Sequence, residues 1–579
     1  MMLGTRRLVL LVITVWLAWC SYNCSTPVLA QVSDNSTKLS SIKGRVLADG
    51  QAVTDASITV SSVNSSRQSR SVPTNDNGDF EVKGLEPGMY RVQVSASAYV
   101  SVPADPDQEI HRAGDSITLN MIKGGVITGK VVTPDNDPVV AVRVRALMIR
   151  DLTGRRPIRA EPSPDRLTDD RGVYRIFGLV PGTYVVFAGG RGFSGTGANA
   201  YDNDAPTFAP SSTRDTAEEV SLGSGEERTI DIRYRGTSGH AVSGNINVLG
   251  TPGSPWLPVN LARIVDSKLD VSVSTYQNAR VKGFEFQGVA DGDYLIWTQY
   301  AGSSGETLVS EPKPITVKGA DVTGIELIAK PLASVAGGVV LEPSTIAECK
   351  DKRRPLFEET LVSLQRNQKQ LPKREPLLEF PLYGSSHATP DGAGSFQLRN
   401  LAGGQYNFNV RLFAKYWYLR SVTLPVAKDS PASDLTRNFL TLKPGDRVTG
   451  LKAVLTEGAA SISGQVELPE DRSGERIVVY VIPAEKDEAD KVLRYFVAPV
   501  AGDGSFTLDH APPGRYWTFA KLVVSEDESN TRSLRLPSEA AARVKLHRQA
   551  EAAKSEVELK PCQVLMDHKL PLAPNTSPL

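Results

Sequence analysis

The residues from which a metal or nucleophilic site would be built are six histidines, His111, His240, His387, His510, His547 and His568, and four cysteines. A zinc peptidase holds its metal through His-x-x-Glu and a later His, because the ion takes imidazole nitrogen and carboxylate oxygen in a tetrahedron. None of the six histidines has Glu three places on, and neither His-Glu-x-x-His nor a Cys-x-x-Cys pair occurs after residue 30. Serine hydrolysis on a strand-to-helix elbow needs Gly-x-Ser-x-Gly. Gly192-Phe193-Ser194-Gly195-Thr196-Gly197 misses that frame by one residue and reads as a loop. Gly124 to Gly129-Lys130 approaches a phosphate loop, but Val131 stands where a magnesium-binding hydroxyl belongs and a strand follows. The acidic stretches Asn75 to Asp79, Thr168 to Gly172 and Asp503 to Ser505 carry oxygen ligands, yet turn chemistry selects the same residues. The expectation is no catalytic residue, no metal and no cofactor, and hence a non-enzymatic protein.

Sugar binding needs something different: flat exposed rings for the CH face of a pyranose, with polar groups beside them. The candidates are Trp256, between Pro255 and Leu257, and the cluster Tyr416-Trp417-Tyr418. On a strand Tyr416 and Tyr418 share one face and Trp417 takes the other, so one side of that cluster belongs to a core. Trp297 and Trp517 are expected to pack.

The chain has 579 residues, with 65 Lys plus Arg against 65 Asp plus Glu, so no net field draws it to nucleic acid. Arg6-Arg7, the apolar run Leu8–Trp19 and the small-residue end Leu29-Ala30 have the layout of a secretory signal cleaved after Ala30. The apolar run is too short for the ~20 residues of a spanning helix, and no second run follows that could cross a membrane. The expected location is outside the cytoplasm, in the periplasm, at the cell surface or beyond. Cleavage leaves Cys349 and Cys562; a bridge between them would join distant segments, and the sequence leaves that open.

What must position any site is an internal repeat. With Phe80 as position n, an aromatic stands at n, Gly at n+8 and an aromatic at n+10: Phe80, Gly88 and Tyr90; Tyr174, Gly182 and Tyr184; Phe284, Gly292 and Tyr294; Phe396, Gly404 and Tyr406; Phe506, Gly514 and Tyr516. Composition alone yields roughly 0.2 such matches in a chain of this kind. Each copy opens with apolar-x-Gly-x-apolar (Ile42 to Val46, Ile127 to Val131, Val242 to Ile246, Val335 to Val339, Ile462 to Val466) and closes on an alternating strand. Period-two alternation between Gly, Pro, Asn and Asp turns signals half-buried strands. The fold class is all-β: a tandem array of about five Ig-like or prealbumin-like antiparallel β-sandwich modules. The tyrosine after the turn is expected to bond back to nearby backbone with its ring inside, as in a tyrosine corner.

Ile42-x-Gly44, Asn77-Gly78-x-Phe80, Leu85-x-Pro87-Gly88-x-Tyr90 and Ser97-Ala98-Tyr99 resemble the carboxypeptidase regulatory-like domain, a transthyretin-like sandwich related in shape to starch-binding modules. The likeness is close in units one and two, fair in five and looser in three and four. It implies no catalysis, since in metallocarboxypeptidases this domain accompanies a separate peptidase domain. It also implies an exported multi-domain protein acting as an envelope or extracellular spacer or adhesion scaffold. The alternative is a carbohydrate-binding protein, with polysaccharide or envelope proteins as partners.

The expected organisation is signal peptide 1–30, linker 31–40, sandwiches 41–122, 123–237, 238–333, 334–458 and 459–562, and a tail 563–579. Connections between modules are short, which predicts an elongated string. The Gly/Asn/Ser-rich stretch 189–218 and the charged stretch 350–376 read as exposed loops for partner contacts. Residues 538–556 read as a short helix and the end from Leu570 as unstructured.

Overall fold

In each repeat the opening strand lies between the strand bearing the aromatic at position n and the strand that closes the unit. The computed structural model describes residues 39–572, except 65–68, 102–109, 153, 155–162, 192–198, 249–251, 267, 279–282, 304–305, 368–386, 426–432, 437, 469–475 and 524–539. The signal peptide, the linker to residue 38, the loop Gly192 to Gly197 and the end beyond residue 572 lie outside the described residues.

The opening strands are Ser40–Ala48, Gly125–Val132, His240–Asn247, Ala333–Glu342 and Ala460–Glu467. Each pairs antiparallel with the aromatic strand, Asp79–Leu85, Val173–Leu179, Phe284–Val289, Ser395–Leu401 or Ser505–Ala511. In register, the opening glycine always faces the ring residue: Gly44 with Phe80, Gly129 with Tyr174, Gly244 with Phe284, Gly337 with Phe396 and Gly464 with Phe506. In four repeats a second sheet carries the corner strand, Met89–Ser95, Gly182–Ala188, Gly404–Arg411 or Gly514–Val523; in the third, Thr307–Ser310 pairs both with the corner strand Gly292–Ala301 and with the closing strand, so the two layers belong to one eight-stranded sheet. Alternate residues of the two layers meet in five separate apolar clusters, one per repeat. The chain is thus an all-β array of sandwiches.

The array departs from purely antiparallel pairing in one respect. On its other edge each opening strand runs parallel to the closing strand: Ser116–Lys123, the pair Glu227–Thr229 and Ile232–Arg233, Val322–Pro331, Arg447–Glu457 and Val564–Pro571. The last of these corrects the expected tail. Val557 to Leu559 alternates like a closing strand but pairs in the second sheet with Gly514 to Trp517. The true closing strand contains Asp567, His568 and Lys569 and ends in Pro571, which hides its alternation.

The tyrosine corner recurs in full. The hydroxyls of Tyr90, Tyr184, Tyr294, Tyr406 and Tyr516 each donate to the carbonyl four residues back, on Glu86, Val180, Ala290, Ala402 and Pro512. Gly88, Gly292, Gly404 and Gly514 take φ of +157°, +153°, +150° and +148°, a region that side chains disfavour. At Gly182 the reason differs, since a β-carbon there would lie 2.6 Å from the Arg150 carbonyl oxygen.

The helix read over 538–556 spans Ala540–Ala553 and sets Leu546 and Ala550 against Tyr480, Tyr495 and Phe519 on the outer face of the fifth module. Among the described residues no helix is long and apolar enough to cross a membrane.

Against the expectation of a string with contacts only between neighbours, modules distant in sequence also meet. The first module docks on the fourth: the Asn64 side-chain amide donates to the Thr389 carbonyl and accepts from the Thr389 N–H, both at 3.0 Å. Met89 and Ile110 of the first module pack with Leu361 and Phe413 of the fourth. Short connections fix neighbours but do not forbid contacts between distant modules, and this one buries the outer face that the other modules cover locally.

Candidate functional site

The acidic turns considered for calcium are committed to backbone. Asn75 Oδ1 accepts from the N–H groups of Asn77 and Asp79, Asp169 Oδ1 from those of Arg171 and Val173, and Asp503 Oδ1 from the N–H and the hydroxyl of Ser505. The Val173 N–H, with the Arg171 side chain next, holds the Asp169 carboxyl below its ordinary range. Among the described residues no three His, Cys, Asp or Glu side chains gather as a metal site.

Of the histidines, His510 serves a joint between modules and His568 a contact inside the fifth module. His510 Nδ1 donates to the Trp417 carbonyl at 2.9 Å, linking fifth and fourth modules, and His568 Nε2 lies 3.0 Å from Thr518 Oγ1. Burial lowers the pKa of both, and of His111.

The aromatic candidates separate cleanly. Trp417 is 0% exposed at the centre of the fourth core, so it has no face for a sugar; this corrects the cluster reading. Tyr416 carries the Lys352 ammonium 4.9 Å from its ring centroid. Tyr418 is partly buried, and desolvation raises its hydroxyl pKa. Trp297 is buried among Ala262, Leu295, Ile264 and Leu269, a packing role as expected.

Trp256 is the opposite case, at 55% exposed. It begins the strand Trp256–Val265, which pairs antiparallel with the edge strand Lys268–Asn278: Trp256 faces Asn278, Pro258 faces Tyr276 and Asn260 faces Ser274. Alternation puts these six residues on one outer face, while Leu257, Val259 and Leu261 point into the core. Tyr276, 44% exposed, is therefore a diagonal neighbour of Trp256. Sequence reading missed it, because a tyrosine flanked by Thr275 and Gln277 looks like the inward residue. Gln277 is instead the buried one: its side-chain oxygen accepts from the Ile246 N–H at 2.8 Å and its nitrogen donates to the Ile246 carbonyl at 3.4 Å. That double bond sets the register and turns Tyr276 outward.

The stretches read as exposed loops for partner contacts contribute, in their described parts, to joints between modules, while 192–198 and 368–376 lie outside the described residues. In the described part of 189–218, Phe208 packs within the second module on Phe187, ring centroids 4.9 Å apart and planes tilted by 31°, and Arg214 and Asp215 reach into the third module. Arg214 forms a buried pair with Asp270, and Arg263 returns the pattern by donating to Asp215 at 2.8 Å. Beside these reciprocal pairs lies a cavity of about 300 Å³, also lined by Arg191, Arg235 and His240. In 350–376, Glu359 is buried between Arg353 and, at 4.0 Å, Arg112 of the first module. Just before it, Cys349 is bonded to Cys562 of the fifth module across 213 residues, settling the pairing that the sequence left open. One segment thus binds the fourth module to both the first and the fifth.

Residues 41–116 match the family model of the carboxypeptidase regulatory-like domain. The match covers the first module and the residues that carried the resemblance. No curated protein matches the chain. Among solved structures, the chain is similar to the Bacillus anthracis TIE protein, at 14% identity and a TM-score of 0.15, over 51% of this chain and 51% of that one. It therefore spans about half the length of that relative. It is also similar to GBS52, the minor pilin of Streptococcus agalactiae (13% identity, 34% of this chain and 96% of that one, TM-score 0.19). A third is BcpA, the major pilin subunit of Bacillus cereus (11%, 50% and 99%, TM-score 0.13). Likeness at these scores carries no inference about activity.

Proposed function

We propose that this chain is an exported, non-enzymatic scaffold of the cell envelope or exterior, a spacer or adhesion protein whose modules are held in fixed relation by contacts built between them. The observation that carries the reading is the use made of its polar chemistry. Among the described residues, polar side chains and a cysteine pair join module to module: Asn64 with Thr389, Arg214 with Asp270, Cys349 with Cys562. The n-region and apolar run at residues 6 to 19 support export, and a disulfide is stable in the oxidising compartments that export reaches. Balanced charge argues against nucleic acid as a partner. Envelope proteins remain the partner class of this reading.

The test is fractionation of cells producing the full chain, with thiol labelling before and after reduction. The expected result is a mature protein outside the cytoplasm that begins at Gln31 and takes up label only after reduction. A cytoplasmic, fully thiol-reactive protein would overturn the reading, as would hydrolysis of peptide or glycoside substrates by pure protein.

A second reading, polysaccharide binding, is favoured by one observation, the open ring of Trp256.

A further inference from the structure

A ring exposed singly would need no reason, but Trp256 and Tyr276 are exposed side by side on one strand pair. On the same sheet face, Trp297 is buried 5% exposed among aliphatic side chains, so the face is covered at one end and open at the other. The open end has a specific composition. Trp256, Pro258 and Asn260 of one strand face Asn278, Tyr276 and Ser274 of the next, and none of the six carries a charge. Ser274 donates to Asn260 Oδ1 at 2.7 Å, which fixes the Asn260 amide with its nitrogen directed away from that bond. The rings stand on a hairpin whose register is held by strand pairs and by the buried Gln277–Ile246 amide pair, so their spacing is set before any ligand arrives.

We propose that Trp256 and Tyr276 form a two-ring platform for a neutral polysaccharide, with Asn260, Ser274 and Asn278 beside it as hydrogen-bonding groups. This deepens the polysaccharide reading and rests on it; the scaffold reading does not depend on it. Pyranose rings present alternating apolar CH faces and polar edges, and the platform offers the complement of both. Diagonal positions across an antiparallel pair are about 7–8 Å apart at the backbone, within the reach of one short oligosaccharide lying across both rings. The absence of charge in these six positions selects a neutral chain over an acidic one. A protein partner would call for a broader apolar centre than two rings flanked by amides and hydroxyls supply.

The test is retention of the full mature chain on insoluble cellulose, amylose and xylan and on immobilised β-glucan, with polygalacturonate as the acidic comparison. The variants are Trp256→Ala, Tyr276→Ala, both together, and Trp256→Phe, each checked for an unchanged melting temperature and unchanged oligomeric state. The expected result is retention of the wild type on at least one neutral polymer, a loss of tenfold or more in each alanine variant, abolition in the double variant, and substantial recovery with phenylalanine. Retention that survives in the double variant would place the sugar elsewhere, overturning the platform while leaving polysaccharide binding intact. Wild-type retention on none of the neutral polymers would overturn both. Retention on polygalacturonate alone, or a change of self-association in the double variant, would make the face an ionic or protein surface and equally overturn it.

Discussion

Gly337 stands directly opposite Phe396, and a β-carbon on that glycine would lie 2.9 Å from the ring and 2.3 Å from the Leu451 carbonyl oxygen. The parallel closing strand approaches closest at this point, and the aromatic covers the gap that the missing side chain leaves. The same relation holds at Gly44, Gly129, Gly244 and Gly464, where the nearest closing-strand oxygen would be 1.8 to 2.0 Å away. The next residue, Gly338, has no atom nearer than 3.9 Å. Gly337→Ala is therefore expected to destabilise by about 2 kcal/mol or more through displacement of backbone. Gly338→Ala, one residue along the same strand, should be neutral or stabilise by up to about 1 kcal/mol through the unfolded state. Denaturant melts of the two variants give the comparison; equal losses would mean that close approach is not why the glycine is there.

The corner permits a second contrast. Tyr90 contributes one hydroxyl bond, to Glu86 at 3.0 Å, whereas the Phe80 ring fills the first core. Tyr90→Phe should cost about 1 kcal/mol and Phe80→Ala about 3 to 5 kcal/mol, read from the first module's transition in urea. Small, equal effects would remove the structural role of the repeat.

These relations explain what could be read in advance. The ring–glycine–ring spacing was legible because each of its residues answers to local geometry: a face, a turn, a hydroxyl reaching four residues back. The parallel pairing was not, since nothing in Gly44 alone tells which strand approaches it. Phe208 fell in a stretch read as loop although it packs on Phe187 of the same module, and the pairing of Cys349 stayed open because Cys562 lies 213 residues away. Tyr276 was missed, and Trp417 was counted with a sugar-binding cluster, for related reasons. A buried amide at Gln277 inverted one strand's apparent pattern, and Trp417 sits inside a core made by strands far from it in sequence.

The reciprocal pairs between the second and third modules should be unequal. Arg214 and Asp270 are both nearly buried, so Arg214→Ala leaves an uncompensated carboxylate inside and is expected to cost about 3 to 5 kcal/mol. Asp215 is 64% exposed at its side chain while its partner Arg263 is only 10% exposed, so Asp215→Ala should cost about 1 to 2 kcal/mol, less than Arg214→Ala. Calorimetry of both variants, with the Arg214→Ala/Asp270→Ala pair to close a cycle, measures the coupling. Equal costs would show that burial does not govern this joint.

The polar part of the dock between the first and fourth modules includes the Asn64 side chain, bonded to both backbone groups of Thr389. Asn64→Ala would strip both backbone groups of Thr389, itself buried, of their partners, a loss of roughly 1–3 kcal/mol. Solution scattering should show a larger radius of gyration if the dock opens. Because Asn64-Ser65-Ser66 is also an acceptor sequence for N-glycosylation, production in a glycosylating host should have the same effect wherever that site is occupied. An unchanged radius in both cases would mean that the apolar contact of Met89 and Ile110 with Leu361 and Phe413 suffices.

Acid should loosen the joint between the fourth and fifth modules before it unfolds the sandwiches. Burial lowers the pKa of His510, with Asp509 and Lys415 nearby, and also that of His568. A base whose folded pKa lies below its unfolded value binds fewer protons when folded, so stability rises with pH through that interval. The contribution is complete above the ordinary histidine value of about 6.5 and declines as pH falls below it. The depressed carboxyls of Asp79, Asp169 and Asp503 belong to a separate, more acidic window, beneath the ordinary carboxylate range. Melting temperatures should therefore be level from pH 8 to about 6.5 and fall toward pH 5, and His510→Gln with His568→Gln should flatten that slope. A slope that persists unchanged in the double variant would assign the acid response to other groups.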